Sequence, residues 1–125
     1  MNYYRLLPLA GVLILAVVIT RSRDEKDGDK KPEPKLIAVT LKSLGYDPKN
    51  LVIHVGDSVV WTNKSLTTHT ATSDDDGKTF DTGEIKPDES SKPVKFEWEG
   101  EFTYHCKTHG KSMSGTIVVR RADKK

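Results

Sequence analysis

The sequence predicts an all-β fold in a single domain, a sandwich or a barrel, on three observations. From Lys35 onward, about seven short β-prone runs are separated by turn residues. No segment of that body keeps a helical period over three turns. The chain has 125 residues, room for one small domain and little else.

The runs follow in order. Leu36–Leu41 is rich in aliphatic and β-branched residues, and the turn-rich Gly45-Tyr-Asp-Pro48 separates it from Leu51–Val55. Gly56-Asp57 marks a turn into Ser58–Thr62, and Thr68–Thr72 is β-prone again. Lys92–Trp98 alternates, which places Val94, Phe96 and Trp98 on one face and predicts Phe96 and Trp98, with Trp61, as core. Glu99-Gly100 turns the chain into Phe102–Cys106, and Ser114–Val119 closes the domain. Asp74-Asp75-Asp76 followed by Gly77 reads as a solvated hairpin turn, because no bidentate Glu follows at calcium-loop spacing.

Two segments precede the body. Arg5 and an apolar run over 6–19 have the layout of an export signal. The run is short for a span of about 20 residues, although Tyr3, Tyr4 and the flanking arginines can extend it at the interfaces. Without a clear small-x-small cleavage site, residues 1–20 read as a signal-anchor helix, with a cleaved signal as the alternative; either places the body outside the cytoplasm. Residues 21–34 hold ten charges in fourteen positions and no large apolar side chain, so they read as a solvated linker. Residues 35–121 form the domain and 122–125 a charged tail.

Lys and Arg number 20 against 18 Asp and Glu, and three arginines flank the apolar run. The body is therefore near neutral, which excludes nucleic-acid binding, for which a basic stripe is required. One cysteine, Cys106, excludes an internal disulfide and a four-thiolate zinc site.

Chemistry concentrates in Tyr104-His-Cys106-Lys-Thr-His109-Gly-Lys-Ser-Met113. A thiolate and a thioether, soft sulfur donors, sit with an imidazole in one tight loop, a combination suited to copper, and a second imidazole, His69, is available from a separate run. Alternation turns Phe102, Tyr104 and Cys106 inward and Thr103 and His105 outward. His54, in an aliphatic strand before a turn, reads as structural or surface.

From roughly Leu36 to Arg120 the chain resembles the small cupredoxins of the plastocyanin, pseudoazurin and amicyanin type. The resemblance is carried by Val55-Gly-Asp57, Val60-Trp-Thr-Asn63, His69-Thr70, Phe80-Asp-Thr-Gly83, Tyr104-His-Cys-x-x-His109 and Met113-Ser-Gly-Thr-Ile117. It implies a Greek-key β-sandwich binding one type 1 copper, with His69, Cys106 and His109 as equatorial ligands and Met113 as the axial one. Thr70 stands where many members carry an asparagine that holds the neighbouring loop and supports the thiolate. The resemblance further implies an electron carrier rather than an enzyme, monomeric, serving unidentified donor and acceptor proteins in the periplasm or at the cell surface. Electrons would enter at His109, flanked by Gly110 and Lys111. Copper delivery is the second reading, disfavoured by having only Met1 and Met113 as thioethers. An oxidase or nitrite-reductase-like enzyme is the third, disfavoured because only His54 and His105 remain for a second centre.

Overall fold

The computed structural model describes residues 31–123, and within them the protein is an all-β sandwich without a helix. Eight strands make two four-stranded sheets. β1 (Leu36–Lys42), β2 (Gly45–Asp47), β4 (Ser58–Asn63) and β6 (Val94–Lys95) form the first, in the order β2-β1-β4-β6. β3 (Asn50–His54), β5 (Thr72–Ser73), β7 (Gly100–Cys106) and β8 (Gly110–Arg120) form the second, in the order β3-β8-β7-β5. The expected N-terminal helix, residues 21–30 of the charged linker and the last two tail residues lie outside the described residues. Among the described residues no helix is long and apolar enough to cross a membrane.

Alternation builds the core. In β4, Val59, Trp61 and Asn63 point inward, and parallel β1 sets Val39 opposite Trp61 and Leu41 opposite Asn63. β8 runs parallel to β3 and antiparallel to β7, directing Met113, Ile117 and Val119 into the same interior. An aromatic column crosses between the sheets. Tyr104 lies 4.6 Å from Tyr46 and 5.6 Å from Trp61, which stacks on Phe80 at 5.3 Å, and Phe80 meets Phe96 at 5.6 Å. Such offset and edge contacts add to what area burial alone supplies.

Two expectations need correction. Trp98 is not core but 77% exposed. β6 pairs with β4 only over Val94–Lys95, and Phe96 then exchanges backbone hydrogen bonds with Gly56 and Asp57 before the chain bends away. Phe102 fills the place beside Phe96, at 5.4 Å, so the inward alternation ends at Phe96, two residues short of Trp98. Tyr46, read as part of a turn, is instead buried in β2, a short strand paired antiparallel with β1. The Asp74–Gly77 segment is a turn as expected, with Asp75 accepting from the Thr79 N–H and hydroxyl and from the Ser73 hydroxyl. Those hydrogen bonds hold the exposed Asp75 carboxyl down to about 2.

Candidate metal centre

Cys106 ends β7 and Gly110 opens β8, and the two residues pair across the turn that carries His109. A register shift between His105 and Cys106 lets the hairpin close in so few residues. Gly110 has φ +58, the left-handed region that glycine enters without penalty. Met113, expected in the loop, lies inside β8, where alternation buries it completely. His69 comes from the segment before β5, fixed by reciprocal backbone hydrogen bonds with Ile85 of 3.2 and 2.8 Å.

The fold brings together three expected donors. One donor atom each from His69, Cys106 and His109 lie within 4.8 Å of one another, with His69 and Cys106 fully buried and His109 partly so. Both imidazoles turn Nδ1 toward the thiol: Sγ is 3.8 Å from that of His69 and 3.5 Å from that of His109. His105 is directed outward, as its alternation requires, with Nδ1 2.5 Å from Asp74. His54 is exposed and remote from the cluster.

Thr70 does two things for the thiol. Its N–H donates to Cys106 Sγ at 3.4 Å, and its hydroxyl accepts from the Lys107 N–H at 3.0 Å, clamping the first residue of the loop. The same hydroxyl lies 3.0 Å from that of Thr72, which donates to Asp81 at 3.1 Å. The threonine hydroxyl supplies the loop contact expected of asparagine, and the thiolate contact comes from the backbone N–H of the same residue. Burial pushes the Cys106 thiol up. The Thr70 N–H, the two imidazoles and the His109 N–H outweigh it and bring the thiol down to about 6.

Four supporting residues carried no sequence signal of their role. Tyr46 donates to the Thr70 carbonyl at 2.5 Å, steadying the peptide that serves the thiol. Asn63, Ser65 and Thr67 fix the proton of His69. The Asn63 amide nitrogen donates to the carbonyls of Thr67 and Ile85, at 2.7 and 2.8 Å, so its oxygen must face Ser65. That oxygen accepts from the Ser65 N–H at 2.9 Å and lies 2.8 Å from Ser65 Oγ. The single hydroxyl proton of Ser65 thus goes to the Asn63 oxygen or the Thr67 carbonyl, neither of which can donate. Toward His69 Nε2, 2.8 Å away, Ser65 offers only a lone pair, so Nε2 is held as a donor and Nδ1 is the nitrogen turned toward Sγ. A buried, low-pKa thiol, two imidazoles and a buried thioether together are a donor set that fits copper.

An all-β sandwich with a Cys–His–His cluster at one end defines a class of small single-domain metalloproteins. A sequence signature described as the cupredoxin-like domain matches residues 9–119, and the chain belongs to that family. It is 30% identical over 87 residues to the chloroplastic plastocyanin of Tetradesmus obliquus, covering 62% of this chain and 60% of the plastocyanin. The chain thus spans about three fifths of that relative's length. A reduced amicyanin variant superposes with TM-score 0.60 at 26% identity, covering 68% of this chain and 82% of the amicyanin. A purple cupredoxin from Nitrosopumilus maritimus superposes with TM-score 0.61 at 25% identity, covering 67% and 99%. The cofactor of this cupredoxin is copper, one ion per chain.

Proposed function

We propose that this protein is a one-electron carrier that relays electrons between larger redox proteins outside the cytoplasm, with residues 35–121 as its redox domain. The observation that carries the reading is the Cys106 thiol, buried, brought down to about 6 and flanked by two inward-turned Nδ1 atoms. In this reading His69, Cys106, His109 and Met113 would hold the metal. When bound, copper supplies the Cu(II)/Cu(I) couple. The chain's part is to keep that geometry unchanged between oxidation states: Thr70, Ser65 and Asn63 fix two of the donors through hydrogen bonds that do not depend on the metal.

His109 is the partly exposed donor, and its ring is the route to the surface. Gly110 adds no bulk beside it, and Lys111 adds a positive charge. Leu66, 95% exposed between the two residues that grip His69, gives a partner an apolar contact at the same end. Residues 1–20 serve as the anchor that keeps the carrier at a membrane.

The visible spectrum of the full-length chain with one equivalent of Cu(II) tests the reading. One structural neighbour bears the name purple cupredoxin, so the presence of an intense thiolate-to-copper band, not its hue, is the readout. We expect Cys106→Ser to lose the band while the sandwich stays folded. A band that survives in that variant would refute the assignment.

A further inference from the structure

The metal cluster occupies one end of the sandwich, where β4 and β7 finish and β8 begins. At the opposite end β1, β4 and β7 start and β3 and β8 finish. The N-terminal segment joins the domain there. The Lys35 N–H donates to Asp57 at 2.8 Å, and the Lys35 carbonyl accepts from the Ser58 N–H at 2.9 Å. Pro34 abuts Gly56, 3.9 Å from where a Cβ on that glycine would stand. Phe96 is hydrogen-bonded to the same Gly56-Asp57 turn, and two residues further on stands Trp98.

This end also gathers exposed apolar side chains: Trp98 at 77%, Leu36 at 63% and Val55 at 37%. The two acids beside Trp98 have basic partners. Glu97 faces Lys95 at 3.5 Å and Glu99 faces Arg121 at 2.8 Å, so neither sign of charge dominates around the indole.

We propose that this is the membrane-facing end, with Trp98, Leu36 and Val55 seated in the headgroup layer of the bilayer that residues 6–20 enter. The inference rests on the anchor proposed above and adds an orientation to it. Thirty residues precede the described chain, among them the apolar run, and they attach at the end that carries Trp98. The spacer over 21–34 is only fourteen residues long. That tether presents the end to the surface at an effective concentration on the order of millimolar, so weak contacts suffice to dock it. Tryptophan suits the boundary because its ring is apolar and its N–H is polar. The paired charges match a zwitterionic surface and predict docking that salt does not reverse. His109 then faces away from the membrane, open to a soluble partner.

The test uses the full-length, copper-loaded, reduced protein reconstituted in phosphatidylcholine vesicles, with and without lipids brominated near the headgroup. The protein has two tryptophans, and Trp61 is fully buried. Emission should fall about twofold in brominated vesicles, as expected for an indole at the interface, and Trp98→Phe should abolish that fall. If the protein floats with vesicles in high salt but its emission is unchanged by bromination, the docked end is refuted and the anchor stands. Equal quenching in Trp98→Phe also refutes it, because the signal then comes from Trp61. If the protein does not float with vesicles at all, the anchor itself fails, and the orientation with it.

Discussion

Replacing Ser65 by alanine removes the hydroxyl that accepts from His69 Nε2 and leaves the Thr67 hydroxyl, at 3.1 Å, as the remaining partner of that nitrogen. The ring then loses part of what fixes its tautomer and orientation, so copper affinity should fall about 10- to 100-fold, the usual cost of losing an outer-shell partner. Chelator competition measures it; an unchanged affinity would show that Thr67 alone holds the ring. Cys106 makes a second residue-scale prediction. Its thiol titrates near 6 in the folded, metal-free protein, against 9.0 for an ordinary thiol. The folded state therefore favours the thiolate, and the stability this contributes is fully present above pH 9. It declines as pH falls and is gone once pH drops through about 6. The ultraviolet thiolate band of the metal-free protein should rise with a midpoint near 6, whereas a midpoint near 9 would mean that the Thr70 N–H and the imidazoles do not stabilise the anion.

At the scale of the elements, β7 and β8 meet most tightly where Tyr104 faces Gly115. A Cβ at Gly115 would stand 2.6 Å from Tyr104 Cζ. The ring has nowhere to go, because Tyr46 lies against it and Trp61 Nε1 donates to its hydroxyl at 3.3 Å. Gly115→Ala should therefore cost about 1–3 kcal/mol through overpacking, read as a lower urea midpoint at unchanged slope. An unchanged midpoint would mean that the sheet yields there. The same elements show what the sequence makes legible. β1, β3, β4, β7 and β8 declare themselves by alternation and β-branched composition, and Cys106, His109 and His69 by donor chemistry and order. β2 escapes because its three residues sit among turn formers, so buried Tyr46 looks like a loop residue. Trp98 misleads for the converse reason. Alternation in the sequence continues past Phe96, but the hydrogen-bonded ladder does not, and only the presence of Phe102 beside Phe96 decides which aromatic is left outside. Alternation places Asn63 inward but does not tell its role, and Ser65 and Thr67 lack any periodic or donor signature, since the role of all three exists only once His69 is folded against them.

For the whole molecule, the near balance of 20 basic and 18 acidic residues leaves steering to local charge. Lys111 is exposed two residues from His109, and Asp74 lies within its field. Burial raises the Asp74 carboxyl, but hydrogen bonds from His105 and Thr103, with the charges of His105 and Lys111, bring it below its usual value. Asp74 therefore answers part of the lysine's charge, and the port is only moderately positive. A local charge of this kind changes encounter rate more than final affinity. Lys111→Glu should slow reaction with an anionic small redox probe about two- to fivefold at low ionic strength, an order-of-magnitude expectation for one reversed charge. The reduction potential should stay unchanged, because the substitution leaves the metal's donors in place. The gap between variant and wild type should close as salt rises toward 1 M, where the screening length falls to about 3 Å. Stopped-flow rates over a salt series read both effects. Equal rates at the lowest salt would mean that Asp74 already neutralises Lys111, and that approach to His109 is governed by shape and by apolar contact at Leu66.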